Sequence, residues 1–186
     1  MSWELSLPKW QRAEAAETTE PAMDSDHFAA FYERSARPLW AYLTRVSGNA
    51  ALADDLMQES FLKFLCADTR CNGEIESRRY LFRIATNLLR DHWRRRGTVS
   101  MDDVTEEHFA SDEGTSQMDS RMMLEPALAK LRPRDRQLLW LAHAESYTHR
   151  EIAEIVGVSS ASVRLLLFRA RREMAKLLTA TAGREA

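Results

Sequence analysis

The chain has 186 residues, and its 26 basic and 28 acidic side chains leave a formal net charge of −2 at pH 7. This length fits one domain or two small ones, and the near-neutral charge argues against a general nucleic-acid coat protein. No run of about 18 apolar residues is present, which excludes a membrane-spanning helix. The N-terminus, MSWELSLPKW, also lacks the basic flank and apolar core of a secretory signal. We therefore expect a cytoplasmic protein with no membrane insertion.

Charge is distributed unevenly along the chain. Between Arg78 and Arg96 there are seven arginines and a single acid, whereas the stretch from Thr98 to Ser120 has seven acids and no Lys or Arg. The C-terminal segment turns basic again, so two basic modules flank an acidic connector. We predict an all-α fold of two small helical domains joined by a flexible acidic linker, divided into a disordered N-terminal extension at 1–23, an N-terminal helical bundle at 24–97, the linker at 98–120 and a C-terminal helix-turn-helix domain at 121–180.

The N-terminal bundle begins at Asp24, where apolar residues start to recur at intervals of three and four and so predict helix. Pro38 is predicted to interrupt this first helix, because proline removes a backbone donor and clashes with the preceding turn. Gly48 ends the run, and Asn49 is suited to cap a second helix that extends to about Leu65.

The second helix has two distinct faces. One is apolar and is predicted to face inward, and the other mixes acidic, amide and apolar side chains at positions i, i+3, i+4 and i+7. Such a stripe suits docking onto a basic helix of another protein, although an ordinary solvated face explains it nearly as well. The inward set is Ala53, Met57, Phe61 and Phe64, and the outward set is Asp55, Gln58, Glu59 and Leu62.

A third helix is predicted from about Ser77 to Arg96, after a loop over 68–75. One side is an apolar stripe formed by Leu81, Ile84, Ala85, Leu88 and His92. The other side carries cations and hydrogen-bonding groups, which suits a nucleic-acid backbone with some base contact. Tyr80 and Trp93 lie beside it as stacking platforms for unpaired bases or, as is more common for aromatics, as core residues. The predicted cationic face consists of Arg79, Arg83, Thr86, Asn87, Arg90 and Arg94.

The stretch from Thr98 to Ser120 has no helical period and is predicted to be flexible or extended. Helix is predicted to return at Arg121 and carries leucines at helical intervals of four and three. Pro133 then lies near the first turn of a further helix, a position that tolerates proline because its missing donor would be unpaired there. The leucines concerned are Leu124, Leu128 and Leu131, followed after the proline by Leu138, Leu139 and Leu141.

The segment from Tyr147 to Arg172 predicts a helix, a tight turn and a second helix. Thr148 and Glu151 have the spacing of a capping box, in which hydroxyl and carboxylate each pair with a backbone amide at the helix start. Gly157 lies where the chain must reverse with a positive φ. Ser159 is suited to cap the second helix, whose apolar stripe is Val163, Leu166, Leu167, Ala170 and Met174.

This second helix is strongly basic. Against one acid, Glu173, it carries Arg164, Arg169, Arg171, Arg172 and Lys176. A helix of this kind can enter the major groove with its first residues at base edges while its arginines hold phosphates. An ordinary helical hairpin with a solvated basic face is the alternative, and the agreement of spacing, cap and charge favours DNA binding.

Little in the sequence indicates catalysis or metal binding. Cys66 and Cys71 have no histidine near them at ligand spacing, so we expect free thiols and predict no metal site. The five histidines are scattered, with no carboxylate or cysteine at catalytic spacing. We expect a protein that is not an enzyme and needs no cofactor.

Three segments, in order, resemble parts of bacterial sigma factors. Residues 54–63, DDLMQESFLK, resemble the region that grips core RNA polymerase, and residues 79–96, RYLFRIATNLLRDHWRRR, resemble the promoter-melting helix that reads the minus-ten element. Residues 126–176 resemble the domain that reads the minus-thirty-five element. The short length and the bare linker resemble the extracytoplasmic-function (ECF) group. Relatives often carry a small polar residue and a basic one where this chain has Leu165 and Leu166, and the N-terminal extension is also untypical.

The resemblance implies a sigma factor that binds core RNA polymerase and promoter DNA and directs promoter-specific transcription initiation. It also implies an anti-sigma factor as a partner, and a linker that threads polymerase toward the RNA exit path. The alternative is a free-standing helix-turn-helix regulator, which leaves the outward face of the second helix and the linker without a role. The residues implied in polymerase binding are Asp55, Gln58, Glu59 and Phe61, those at the minus-ten element are Arg83, Asn87, Arg90 and Arg94 with Arg79 on the same face, and those at the minus-thirty-five element are Ser160, Ser162, Arg164 and Arg169.

Overall fold

The computed structural model describes residues 25–67, 71, 73–95 and 118–182. Within these ranges all regular structure is helical and no strand is found, which confirms the all-α prediction. The helices are α1 (Ser25–Ser47), α2 (Ala50–Leu65), α3 (Glu74–Arg95), α4 (Met118–Lys130), α5 (Pro133–His143), α6 (His149–Val156) and α7 (Ser160–Ala182). The predicted extension at 1–23 and most of the predicted acidic linker at 98–120 lie outside the described residues.

The predicted helix ends are confirmed where local chemistry sets them. The Asn49 side chain accepts a hydrogen bond from the Leu52 amide at 3.0 Å and caps α2. At the start of α6 the Glu151 carboxylate accepts from the Thr148 amide at 2.9 Å, which is one half of the predicted capping box. Gly157 then ends α6 with φ 70°, a left-handed conformation that glycine adopts without strain.

Three predicted boundaries are wrong. α1 continues through Pro38 without a break, α3 starts at Glu74 rather than near Ser77, and α4 starts at Met118 rather than at Arg121. Proline in a helix interior costs about 3 kcal/mol, but the turns that follow bury a large apolar surface against the core, and this packing offsets the cost. The buried residues after the proline are Leu39, Tyr42, Leu43 and Val46.

Helices α1–α3 form the N-terminal bundle and α4–α7 the C-terminal helical unit. The two units are in contact: α3 packs on α6, α1 packs on α5, and one continuous apolar core runs through both. α6 and α7 form a helix-turn-helix that packs on α5, and Ile152, Val163 and Leu167 of these two helices are buried in the core. None of the described helices is long and apolar enough to span a membrane.

A buried polar triad ties the two units together. The Tyr42 hydroxyl of α1 lies 2.7 Å from the Thr86 hydroxyl of α3, and Gln137 of α5 donates from Nε2 to the Tyr42 hydroxyl at 2.5 Å. The same Gln137 amide lies 3.3 Å from the Thr86 hydroxyl. Because all three residues are buried, each satisfies polar groups that would otherwise lack a partner. Burial raises the pKa of Tyr42 to about 12, so its hydroxyl keeps its proton at neutral pH.

Candidate nucleic-acid and protein interfaces

The outward face of α2 is exposed as predicted. Asp55 and Gln58 are exposed, Leu62 is an exposed large apolar residue, and Glu59 forms an ion pair with Lys63 at 3.2 Å. An exposed leucine among carboxylate and amide groups forms a mixed surface that suits a basic partner helix.

Phe61 has a different environment from the other residues predicted to bind polymerase. It is buried, and its ring centroid lies 4.7 Å from that of Tyr32, 6.2 Å from that of Phe28 and 6.3 Å from that of Phe31. These aromatic contacts fix α2 against α1. Phe61 therefore supports the exposed face of α2 from behind and does not lie on it.

On α3, the exposed members of the predicted cationic face are Arg83, Asn87 and Arg94. The Arg83 guanidinium lies 4.9 Å from the centroid of the Tyr80 ring, a cation–π contact that holds both side chains at the surface of α3. Arg94 pairs with Asp91 one turn earlier at 3.1 Å. These residues combine positive charge with a hydrogen-bonding amide on an accessible surface.

Thr86 does not belong to this face. It is buried at the edge of this face, where its hydroxyl meets Tyr42. On the helix surface Thr86 is next to Phe82 four residues before it and Leu89 three residues after it, and both of these are buried. Trp93 is likewise buried and is a core residue, whereas Tyr80 is only partly buried.

Two of the predicted DNA-binding arginines are engaged by the C-terminal unit. Arg79 pairs with Glu154 at 3.3 Å and with Glu151 at 3.5 Å, both on α6. Arg90 donates from Nη2 to the backbone carbonyl of Val156 at 2.8 Å. That carbonyl lies at the C-terminal end of α6, where helical carbonyls lack an intrahelical donor and carry partial negative charge.

A third arginine of α3 makes the most buried of these links. Arg78 Nη2 lies 2.5 Å from Glu145 Oε2 in the connection between α5 and α6, and the Glu145 side chain is only 4% exposed. Burial raises the pKa of Glu145, an effect that the nearby Arg78 charge opposes. We refer to the links of Arg78, Arg79 and Arg90 with Glu145, Glu151, Glu154 and the Val156 carbonyl as the α3–α6 seam.

The DNA-facing residues predicted on α7 are all exposed: Ser160, Ser162, Arg164 and Arg169. Ser159 caps the helix by accepting from the Ser162 amide at 3.2 Å, and the hydroxyls of Ser159 and Ser162 lie 2.7 Å apart. Within the described part of the chain no carboxylate pairs with Arg164 or Arg169. In contrast to the cations of the seam, these two arginines are accessible to a ligand.

The sequence patterns did not indicate the seam or the buried triad. Two of the glutamates, Glu145 and Glu154, pair with arginines more than sixty positions earlier in the chain. Gln137 pairs with residues of two other helices. Helical periodicity does not encode such pairings. The complementary charges of α3 and α6 were the one available signal, since α6 places Glu151 and Glu154 three residues apart on one face.

The described residues contain no group of three or more His, Cys, Asp or Glu side chains that could hold a metal ion. Cys66 and Cys71 are unpaired thiols. Partial burial raises the pKa of Cys71 above its ordinary value, which keeps that thiol protonated.

Comparison with known families assigns both units of the chain. Residues 31–99 match the family model for sigma-70 region 2, and residues 121–174 match the model for sigma-70 region 4. The two matches occur in the same order as the N-terminal bundle and the helix-turn-helix unit, and between them they leave mainly the segment at 100–120 and the two termini unmatched.

Individual relatives agree. The chain is 32% identical over 167 residues to the ECF RNA polymerase sigma factor SigE of Mycolicibacterium smegmatis, covering 79% of this chain but only 64% of that relative. It is 29% identical to the RNA polymerase sigma factor CarQ of Myxococcus xanthus, covering 82% of this chain and 90% of CarQ. Among solved structures, the sigma factor RpoE of Bartonella quintana, crystallised with the anti-sigma factor NepR, has a TM-score of 0.67 at 22% identity and covers 82% of this chain and 96% of that chain. At that identity the last comparison indicates a shared fold.

Proposed function

The chain belongs to the sigma-70 family and, within it, to the extracytoplasmic-function sigma factors, and we propose that it directs promoter-specific transcription initiation as a dissociable subunit of RNA polymerase. The observation that carries this proposal is the ordered match of sigma-70 regions 2 and 4 to its two helical units. Sigma factors are not enzymes, and we propose no reaction for the chain. Its place of action is the cytoplasm, with polymerase and the chromosome.

The outward face of α2 is the proposed docking surface for core RNA polymerase. Asp55, Gln58 and Glu59 supply acceptors there, and the exposed Leu62 supplies apolar contact. Phe61 acts from behind by holding α2 on α1. Charge on this face should steer the encounter with a basic helix more than it sets the final affinity.

The proposed promoter contacts fall on α3 and α7. Arg83, Asn87 and Arg94 are exposed on α3 and would meet unpaired bases and phosphates of the minus-ten element. Ser160, Ser162, Arg164 and Arg169 are exposed on α7 and would meet duplex DNA of the minus-thirty-five element. Neither set needs high affinity alone, since binding by one unit raises the effective concentration of the other at the promoter.

Arg79 and Arg90 can contribute to DNA binding only if the α3–α6 seam opens. Carboxylates of α6 occupy the place beside Arg79 that a phosphate would take. The ion pairs of Arg79 are partly open to solvent and are therefore weak, since solvated pairs contribute about 0–1 kcal/mol each. We therefore propose that the free chain is closed, and that polymerase and promoter together supply the free energy that separates α6 from α3.

The relative from Bartonella quintana was solved with an anti-sigma factor. We propose an anti-sigma factor as a partner of this chain too. A protein of that class would act by competing for the docking face of α2 or by holding the seam closed.

In vitro transcription tests the proposed function directly. The full chain, added to core RNA polymerase on a library of random promoter sequences, is expected to yield transcripts from a subset that shares two short elements upstream of the start. Core polymerase alone is the control. Tight, sequence-specific binding of duplex DNA by the chain without polymerase, combined with no transcript from the library, would instead establish the free-standing regulator.

A further inference from the structure

The outward face of α7 carries two large apolar residues that are exposed in the free chain. Leu165 is 51% exposed and Phe168 is 61% exposed. At about 100° of rotation per residue, Leu165 lies roughly 200° from both Val163 and Leu167, whose side chains are buried in the core. Leu165 is therefore at the centre of the face that points away from the protein.

The charges around this apolar centre favour nucleic acid as its ligand. Arg164 and Arg169 flank Leu165 along the helix surface, and Arg172 follows on the same side as Leu165. No acidic residue lies in the first turn of α7, and the one acid further along, Glu173, pairs with Lys176 at 3.0 Å. An apolar strip bounded by cations matches a groove that has phosphates along its edges and an apolar group on its floor.

The apolar group that DNA presents in the major groove is the C5-methyl of thymine, and the other bases present hydrogen-bonding groups there. A leucine side chain cannot form hydrogen bonds with those groups. Packed against them, it would displace their bound water without replacing its hydrogen bonds, which is unfavourable. Resting on the proposed function, we propose that Leu165 is a specificity-determining residue that packs against the methyl group of a thymine in the upstream promoter element. Phe168, one turn further, extends the same apolar surface.

The test replaces single thymines by deoxyuridine, which keeps base pairing and removes only the methyl group. The promoter is one selected from the random library by the full chain with core polymerase. At one thymine of the upstream element, the replacement is expected to weaken binding about fourfold, the effect of losing one buried methyl contact. In Leu165→Ala the same replacement is expected to have no further effect, because the methyl group has already lost its partner.

Leu124→Ala is the matched control, since Leu124 is 42% exposed and belongs to α4, which is not part of the helix-turn-helix. It should respond to deoxyuridine as the unaltered chain does. If every thymine tolerates the replacement, or if Leu165→Ala keeps the full methyl dependence, the inference is wrong while the proposed function stands. An unchanged DNA selectivity in Leu165→Ala would also contradict the inference, and the apolar surface of Leu165 and Phe168 would then be assigned to a protein partner. If no promoter is selected at all, the proposed function and the inference fail together.

Discussion

The arginines of the α3–α6 seam and those on the outer surface of α7 are the same residue type but differ in their partners. Arg78, Arg79 and Arg90 are held by carboxylates or a helix-end carbonyl of the C-terminal unit, whereas other arginines of α3 remain exposed. On α7, Arg164 and Arg169 have no such partners among the described residues. Arginine is therefore committed to internal contacts in the seam and accessible to a ligand on α7. Arginine clusters identify candidate DNA-binding surfaces, and their partners determine which of these the free chain can use.

The largest effect on stability is expected at the buried polar triad, which joins α3 to α1 and α5. Gln137→Ala removes the hydrogen bonds to Tyr42 and Thr86 and leaves both hydroxyls buried, so the free energy of unfolding should fall by about 2–3 kcal/mol. Urea denaturation at neutral pH measures the change. Gln58→Ala, at an exposed glutamine of α2, should change it by less than about 0.5 kcal/mol. A loss of that small size in Gln137→Ala would show that the triad does not hold α3 to α5.

The next effect separates the two faces directly. In the free chain, Arg164→Ala should weaken binding to a mixed-sequence duplex about fivefold and reduce the slope of log affinity against log salt by about 0.9, the effect of one lost phosphate contact. Arg90→Ala should change neither value, because the Val156 carbonyl already occupies that guanidinium. Fluorescence anisotropy over a salt series measures both. Equal losses of affinity in the two variants would contradict the distinction between arginines held in the α3–α6 seam and exposed arginines on α7.

Glu151 connects the seam to the start of α6. Hydrogen bonds from the Thr148 hydroxyl and amide lower the pKa of Glu151, so its carboxylate stabilises the fold at neutral pH, and this contribution is lost as pH falls from the unfolded value of about 4.3 through the folded one. Glu151→Gln should lower the free energy of unfolding by about 1 kcal/mol at pH 7. The difference from the unaltered chain should shrink steadily below about pH 5.

Urea denaturation across this pH range provides the measurement. Glu154→Gln is the control, since Glu154 also pairs with Arg79 but takes no part in the cap. A difference for Glu151→Gln that stays constant with pH would rule out the carboxylate as its source.

The smallest effect is expected when the seam loses one ion pair, that between Arg79 and Glu154. Glu154→Gln should raise the affinity of the free chain for a single-stranded oligonucleotide about twofold, because Arg79 loses one of its two partners and the pair contributes under about 1 kcal/mol. Glu33→Gln removes one negative charge from an exposed position on α1 and controls for net charge. Equal gains in affinity in both variants would show that the gain comes from the change in net charge and not from the seam.

The sequence predicted well whatever depends on a few neighbouring residues. The caps at Asn49 and Thr148 and the left-handed turn at Gly157 act within about one helical turn, so their signals are local. The outward positions of Asp55 and Arg164 followed from helical period alone. Family resemblance added the functional roles, which periodicity cannot supply.

The sequence failed where the outcome depends on distant partners. Thr86 lies at the boundary between two faces of α3, and only the contact with Tyr42, 44 positions away, decides its side. Pro38 remains inside α1 because core packing outweighs the local penalty. Burial of Glu145 against Arg78 joins residues 67 positions apart, and no local pattern predicts such a pair.

We propose that α6 holds Arg79 and Arg90 of α3 in the free chain and releases them when the promoter is bound. Spin or fluorescent labels at Ala29→Cys on α1 and His149→Cys on α6, both exposed positions, in a chain with Cys66 and Cys71 replaced by serine, report the separation of the two units. The free chain should give a single distance, and the complex with core polymerase and promoter DNA should lengthen it by at least about 10 Å, one helix diameter. The same distance in both states, in a labelled protein that still initiates transcription, would contradict the account.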